Sequence, residues 1–337
     1  MVELTLHERR KVAVKKILSL GFSAVCGFGL ARRFAKPAVT IVVYHRIISD
    51  GHSGVCPYIS VTETNLRDQI RFFKKHYQLI TLEKAVDLLS AGYLDKQYLV
   101  VTFDDGYEDN YTLGMRIFAE EAIRPTVFVT TDCVARGKTL WPDRLRHIIY
   151  SAVVIQPIVI IKSNCLIGKS LTERITALKY LIAHGKGLSM IEREVFIQEL
   201  ANKFKVTEQC PPQMLDSEQV KLLTEHGVSI GAHTVNHPVL SKVSAEIAER
   251  EIKESKRALE KWTGRDIVTF AYPNGKSEDF TELTVGQLQS AGYVAAVTTM
   301  RGVNKHGCDL FRLRRTGIYL TDSLAVIKMK LAIESLL

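Results

Sequence analysis

Three short clusters of polar residues could carry chemistry in this chain: Tyr44-His45, Asp104-Asp105-Gly106 and His233-Thr234-Val235-Asn236-His237. Two histidines four residues apart can share one face of a helical turn and bind a single metal ion. A carboxylate added to that pair makes a two-histidine, one-carboxylate site, which leaves coordination positions open for water and substrate. Adjacent aspartates point apart, so one of Asp104 and Asp105 can ligate while the other stays free as a base. Taken singly, each cluster has an ordinary structural explanation, a satisfied histidine or an acidic turn. It is their shared position, directly after strand-like runs, that makes coincidence a poor account.

Those runs belong to a repeated strand-then-helix pattern. VTIVVY at Val39–Tyr44 is a continuous β-branched run of the kind found in buried parallel strands. Further extended segments are expected at Tyr98–Phe103, Thr126–Thr130, Val228–Ala232, Asp266–Tyr272, Tyr293–Thr298 and Phe311–Tyr319. Helical periodicity lies between them, at Thr64–His76, Thr81–Ala91, Tyr107–Ala122, Asp216–His226, Ser244–Thr263 and Asp279–Ala291. Such alternation predicts a parallel sheet, either a barrel or an open doubly wound sheet. In both, chemistry gathers at the C-terminal strand ends. Asp132–Leu215 breaks the rhythm and reads as a helical insertion, with helices at Leu171–His184 and Met190–Lys205 and a Pro211-Pro212 breaker at its end. No glycine-rich phosphate loop follows any strand, which leaves dinucleotide and P-loop readings without support.

The 337 residues are 46% hydrophobic and 24% charged, a globular balance that excludes disorder and a polytopic membrane protein. The net charge of +9 is concentrated: residues 1–36 carry eight Lys/Arg against two Asp/Glu. A nucleic-acid binder needs a basic stripe on the folded domain, and none is seen. Six scattered cysteines form no CxxC pair, which favours a reducing compartment. The uncharged run Ile17–Ala31 is flanked by basic residues but is shorter than the ~20 apolar residues a spanning helix needs. It is read first as a helix at the membrane interface, giving peripheral contact through residues 9–36. A secretory signal and a helix packed on the domain are the alternatives. The expected location is cytoplasmic or peripheral to the cytoplasmic membrane. The expected organisation is a segment 1–36 followed by a domain 37–337 with its insertion at about 132–215.

Thr102–Gly106 (TFDDG) and His233–His237 (HTVNH) resemble the first two signature motifs of the NodB-type polysaccharide deacetylases, carbohydrate esterase family four. Phe270–Gly275 (FAYPNG) resembles the third, and the chain looks closer to the poly-N-acetylglucosamine deacetylase-like branch. The resemblance implies a distorted (β/α)-barrel of about seven parallel strands and a divalent metal, most often Zn²⁺, with Co²⁺ and Ni²⁺ as alternatives. It implies a cell-envelope hydrolase that removes N-acetyl groups from an N-acetylglucosamine-containing polysaccharide or oligosaccharide. Carried over, Asp104 is the general base, Asp105, His233 and His237 are the metal ligands, and the Asn274 backbone N–H holds the oxyanion. Tyr272 and Trp141 are expected near the substrate, Trp141 by stacking on a sugar ring.

The departures matter as much. The family's third motif carries an arginine two residues before the proline, which orients the base; here that residue is Ala271. Arg312, Arg314 or Arg315 on the last extended segment could take its place, with Arg312 and Arg314 preferred. The C-terminal histidine that normally protonates the leaving amine is missing, and His45 at the end of the first strand is the candidate replacement. These losses leave a second reading open, a non-catalytic, metal-retaining glycan-binding relative. A lipid-linked or peptidoglycan sugar at the membrane is a third, differing only in substrate.

Overall fold

The computed structural model describes residues 27–51, 58–153, 158–160, 165–207 and 213–336. Residues 1–26, and with them most of the apolar N-terminal run, lie outside it, as does the Pro211-Pro212 breaker.

Seven parallel strands form the body: β1 (Ala38–Tyr44), β2 (Gln97–Phe103), β3 (Thr126–Val129), β4 (Ser229–Ala232), β5 (Thr269–Ala271), β6 (Ala295–Val297) and β7 (Thr316–Gly317). Their order is β6-β5-β4-β3-β2-β1-β7, so the first six neighbour one another in sequence order and the last lies beside the first. A short edge strand, Gln78–Leu79, extends the β3 side of β2. The sheet curls far enough for the segment 313–317 to touch both of its ends. Thr316 and Gly317 pair with Val42 and Val43 of β1, while Leu313 bridges Val297 of β6. The result is the distorted barrel expected from the sequence.

Alternation along the strands divides the apolar residues into two layers. Val39, Ile41, Val100, Phe128, Ala271, Val297 and Leu313 face inward and pack with the helix at Leu82–Ser90. Val42, Tyr44, Val101, Phe103, Val129 and Phe270 face outward against the surrounding helices. Gly231 sits on the inner face because Phe128 fills the space beside it; a Cβ there would stand 2.4 Å from the ring.

Further helices among the described residues belong to the N-terminal run and the insertion. The first, α1 (Gly27–Phe34), packs Phe28 against Phe72 and edge-on to His76. This part of the N-terminal run therefore rests on the domain, although Leu30 and Phe34 stay 58% and 70% exposed. The insertion holds α2 (Trp141–Ser151), α3 (Leu171–Gly187) and α4 (Met190–Phe204), built around a separate apolar cluster that includes Leu145, Ile148, Leu181, Phe196 and Leu200. Ser170 and Ser189 start α3 and α4 with capping boxes to Glu173 and Glu192. The insertion also contains an antiparallel pair, Ile158–Ile160 with Cys165–Ile167, that helical periodicity did not announce. Expected helix Tyr107–Ala122 is split into Asp109–Thr112 and Gly114–Glu120. No helix among the described residues is long and apolar enough to cross a membrane.

Candidate functional site

The polar clusters meet at the C-terminal end of the barrel. Asp105 follows β2; His233 and His237 lie in the loop after β4. His233 Nε2 is 3.4 Å and His237 Nε2 3.5 Å from the same oxygen, Asp105 Oδ1. One donor atom from each of the three lies within 4.8 Å of the others, and all three residues are buried. The donor set fits a divalent ion of zinc type. His233 Nδ1 lies 2.7 Å from the Ala271 carbonyl oxygen, which assigns the ring proton to Nδ1 and leaves Nε2 free as a ligand.

The two histidines are not on a helical turn. Backbone strain brings them together instead. Of the six described non-glycine residues with positive φ, four are here: Asp105, Thr234, His237 and Asn274. Thr234 is β-branched, so its φ of 66° is unusually costly. The surroundings hold it: the Thr234 hydroxyl accepts from the His237 N–H at 3.0 Å, and the Thr234 carbonyl accepts from Thr131 N–H. A buried carboxylate, Glu251, fixes the rest of the loop. It accepts from the Val235 and Asn236 N–H groups at 2.8 Å each and from the Asn236 side chain at 2.7 Å. Glu251 lies in α5 (Ala245–Thr263), on the buried face with Ala248, Ile252, Ser255 and Leu259. An acidic residue on that stripe was the available signal, and sequence reasoning passed over it.

Asp104 is not bound to either histidine. Arg315 enters from between β6 and β1 and donates Nη1 to Asp104 Oδ1 and Nη2 to Oδ2, both at 2.7 Å. Its Nε donates to the Thr298 carbonyl, and Nη1 also reaches the Thr102 hydroxyl. Arg315 is 0% exposed. Burial pushes the Asp104 pKa up, but the Arg315 charge and hydrogen bonds, with His233 and His45 nearby, outweigh it and hold the carboxyl below its ordinary range. Burial likewise opposes ionisation of Asp105, and His233, His45 and His237 together hold it low. Burial and the neighbouring His233 push His237 down to about 3, so its imidazole is neutral, as a metal ligand must be.

The preferred arginines are elsewhere. Arg312 pairs with Glu282 and Asp309 at the surface, and Arg314 donates to the Arg301 carbonyl. Strand alternation accounts for the choice: Leu313 and Arg315 face the barrel interior, and the residues between and before them do not. Tyr272 also departs from expectation. It points outward, stacks on Phe280 at 3.9 Å between centroids and donates to the Phe311 carbonyl. Trp141 is 5% exposed in the core of the insertion, with the Arg193 guanidinium over one face and Gly185 against it. Neither is free to meet a sugar through its ring. Asn274 follows β5 with φ 63°; its carbonyl accepts from Thr299 Oγ1, and its side-chain amide nitrogen is buried without a partner. His45 is half-buried at the end of β1, within electrostatic reach of both Asp104 and Asp105, and its carbonyl accepts from Asn110.

Fold and site together define a distorted (β/α)-barrel protein with a two-histidine, one-carboxylate centre and a separate ion-paired carboxylate. Comparison with known proteins points in the same direction as the motifs. The polysaccharide deacetylase family model matches residues 190–296, which include His233, His237 and Asn274. Bacillus subtilis YxkH, whose own assignment as a polysaccharide deacetylase is provisional, is 21% identical over 285 residues, covering 84% of this chain and 72% of YxkH. Among solved structures, the Streptococcus pyogenes deacetylase PplD in complex with acetate matches with a TM-score of 0.59 at 20% identity, over 89% of this chain and 99% of that one. IcaB from Ammonifex degensii matches at 0.57 and 16% identity, over 90% and 99%. The match over residues 190–296 and the shared fold agree with the resemblance to the polysaccharide deacetylases that the motifs carry.

Proposed function

We propose that this protein is a metal-dependent N-deacetylase of an N-acetylglucosamine-containing polysaccharide or oligosaccharide. One observation carries the reading: a three-donor centre of Asp105, His233 and His237 stands beside a second carboxylate, Asp104, that a buried arginine holds ionised and outside the donor set. A binder has no use for that second carboxylate; a hydrolase does. The non-catalytic alternative drew on the missing third-motif arginine, and Arg315 occupies the corresponding role on Asp104.

Asp105, His233 and His237 would hold a divalent ion, which would supply Lewis acidity to a water and to the acyl carbonyl. Arg315 fixes Asp104 in place and keeps it ionised before reaction, so that it can accept the proton of the attacking water. As water adds to the amide carbonyl, the Asn274 N–H stabilises the oxygen that gains charge. The C–N bond then breaks and His45 gives a proton to the departing amine, releasing acetate and a free amino sugar. PplD was solved with acetate bound, in keeping with such a product.

Incubation of the full chain with N-acetylglucosamine oligomers and Zn²⁺, Co²⁺ or Ni²⁺ should release acetate. Folded, metal-loaded protein that releases none from any oligomer would overturn the reading. Peripheral contact with an anionic membrane through residues 9–36 is part of the same proposal. The exposed Leu30 and Phe34 beside Arg32, Arg33 and Lys36 support it. A variant lacking residues 1–26 leaves α1 packed on Phe72, and its salt-sensitive binding to anionic vesicles should weaken. Unchanged binding would move the contact elsewhere.

A further inference from the structure

Three Lys or Arg side chains are buried among the described residues: Arg193, Arg315 and Lys330. Arg315 is paired with Asp104 and Lys330 with Asp322. Arg193, at 4% exposure, has neither a hydrogen bond nor a carboxylate within salt-bridge distance among the described residues, and its Nε is buried without a partner. Its one close charge-specific contact is the Trp141 ring, 4.7 Å from the guanidinium carbon. The neighbouring acids are already engaged: Glu194 by Arg144, and Glu251 by the ligand loop. A buried charge without a counter-ion is costly, and an anion from outside the fold would offset that cost.

Its position says what. Arg193 is in the first turn of α4 and Lys186 in the last turn of α3, so the two cations flank the tip of one helical hairpin. Both lie within electrostatic reach of His237, and Lys186 also reaches Asp279 and Glu278 in the loop after β5. Gly185 lets the hairpin tip lie flat on Trp141, where a Cβ would stand 2.8 Å from the indole. The insertion thus brings two positive charges within electrostatic reach of a candidate metal ligand, and no carboxylate is within salt-bridge distance of Arg193 among the described residues.

We propose that Arg193, supported by Lys186, is a subsite for an anionic group, phosphate or carboxylate, carried by the N-acetylated sugar. The proposal rests on the deacetylase reading for the sugar and on Arg193 for the anion. A planar guanidinium held against an indole presents its remaining N–H groups in one plane, suited to a two-oxygen acceptor.

The test measures binding, not turnover, with the full metal-loaded chain. Calorimetry compares N-acetylglucosamine, N-acetylglucosamine 1-phosphate and N-acetylmuramic acid. The wild type should bind at least one anionic sugar about tenfold or more tighter than the neutral one, as a charged hydrogen bond provides. The two anionic arms tell phosphate from carboxylate. Arg193→Met should bring the anionic-to-neutral ratio towards one, and Arg193→Gln should do the same if the Met variant does not fold. A wild-type ratio near one, or a ratio unchanged in a folded Arg193 variant, overturns the subsite. Anion preference without acetate release from any sugar would remove the deacetylase reading and keep the subsite. Acetate release from the neutral sugar with no anion preference would do the reverse.

Discussion

Arg315 and Arg193 are both deeply buried, and they sit in opposite electrostatic states. In the barrel, Arg315 bonds through all three guanidinium nitrogens: to both Asp104 oxygens, the Thr298 carbonyl and the Thr102 hydroxyl. In the insertion, Arg193 places a ring face on Trp141 and leaves its Nε unbonded. The first belongs to a site whose charge is paired within the fold. The second sits at the tip of a helical hairpin with no carboxylate within salt-bridge distance among the described residues. On the two proposals above, reaction chemistry would belong to the strand ends of the barrel and substrate choice to the hairpin tip of the insertion.

The largest expected effect sharpens the barrel half of this contrast. Asp104→Asn removes the proton acceptor, and acetate release should fall about 10²–10⁴-fold while bound metal is retained. A variant within a few-fold of wild type would mean that Asp104 only satisfies Arg315. The converse change, Arg315→Met, strands a buried carboxylate. It should lower unfolding stability by about 3–5 kcal/mol, read from the shift in denaturant midpoint, and reduce turnover with it. If stability is unchanged, the pair is not the keystone its geometry suggests.

His45→Ala and Glu251→Ala should have smaller effects. Loss of the proton donor should cut turnover about tenfold or more with metal binding intact; full activity would send the search for the acid elsewhere. Glu251 touches no donor atom, yet it holds the backbone between the two histidine ligands. Its removal should weaken metal affinity about 10–100-fold, as loss of such supporting contacts typically does, measured by competition with a chelator. Addition of excess metal should then restore activity in Glu251→Ala and leave Asp104→Asn inactive.

The barrel was largely legible and the insertion only in outline, and the reason is physical. Parallel strands buried on both faces write continuous β-branched runs, and polar residues just beyond them stand out, as at Tyr44-His45 and Asp104-Asp105. Three matters depended on more than sequence. The choice among Arg312, Arg314 and Arg315 turned on which residues of an irregular strand face inward. Trp141 looked available for a sugar because its partner in packing, the hairpin tip, lies more than forty residues away. Glu251 and Arg193 were hidden in the same manner, as single charges on otherwise apolar helix stripes, beside Ile252 and Leu259 in one helix and Phe196 and Ile197 in the other. A charge in that position is costly to bury and so points to a bound partner, which periodicity alone does not name.

The smallest predicted effect has the most telling sign. If Arg193 is kept for a ligand, the unliganded fold gains little from its charge. Burial pushes its pKa down, so the fold disfavours the charged form, and the acids within reach, Glu194 and Glu251, only partly compensate. Methionine keeps the unbranched stem against Trp141 and discards the charge. The lost contact of cation with indole is worth about 0.5–2 kcal/mol. The relieved desolvation is of similar size or larger, since replacing a buried charge with a well-packed apolar group is often neutral or stabilising. Arg193→Met should therefore leave the denaturant midpoint unchanged or raise it slightly, in contrast to Arg315→Met. Adding the anionic sugar should then raise the midpoint of the wild type, because a ligand that binds only the folded state stabilises it, and should do so much less in the variant. A midpoint that drops in Arg193→Met as far as in Arg315→Met would make the two arginines alike, both structural, and would remove the division of labour between barrel and insertion.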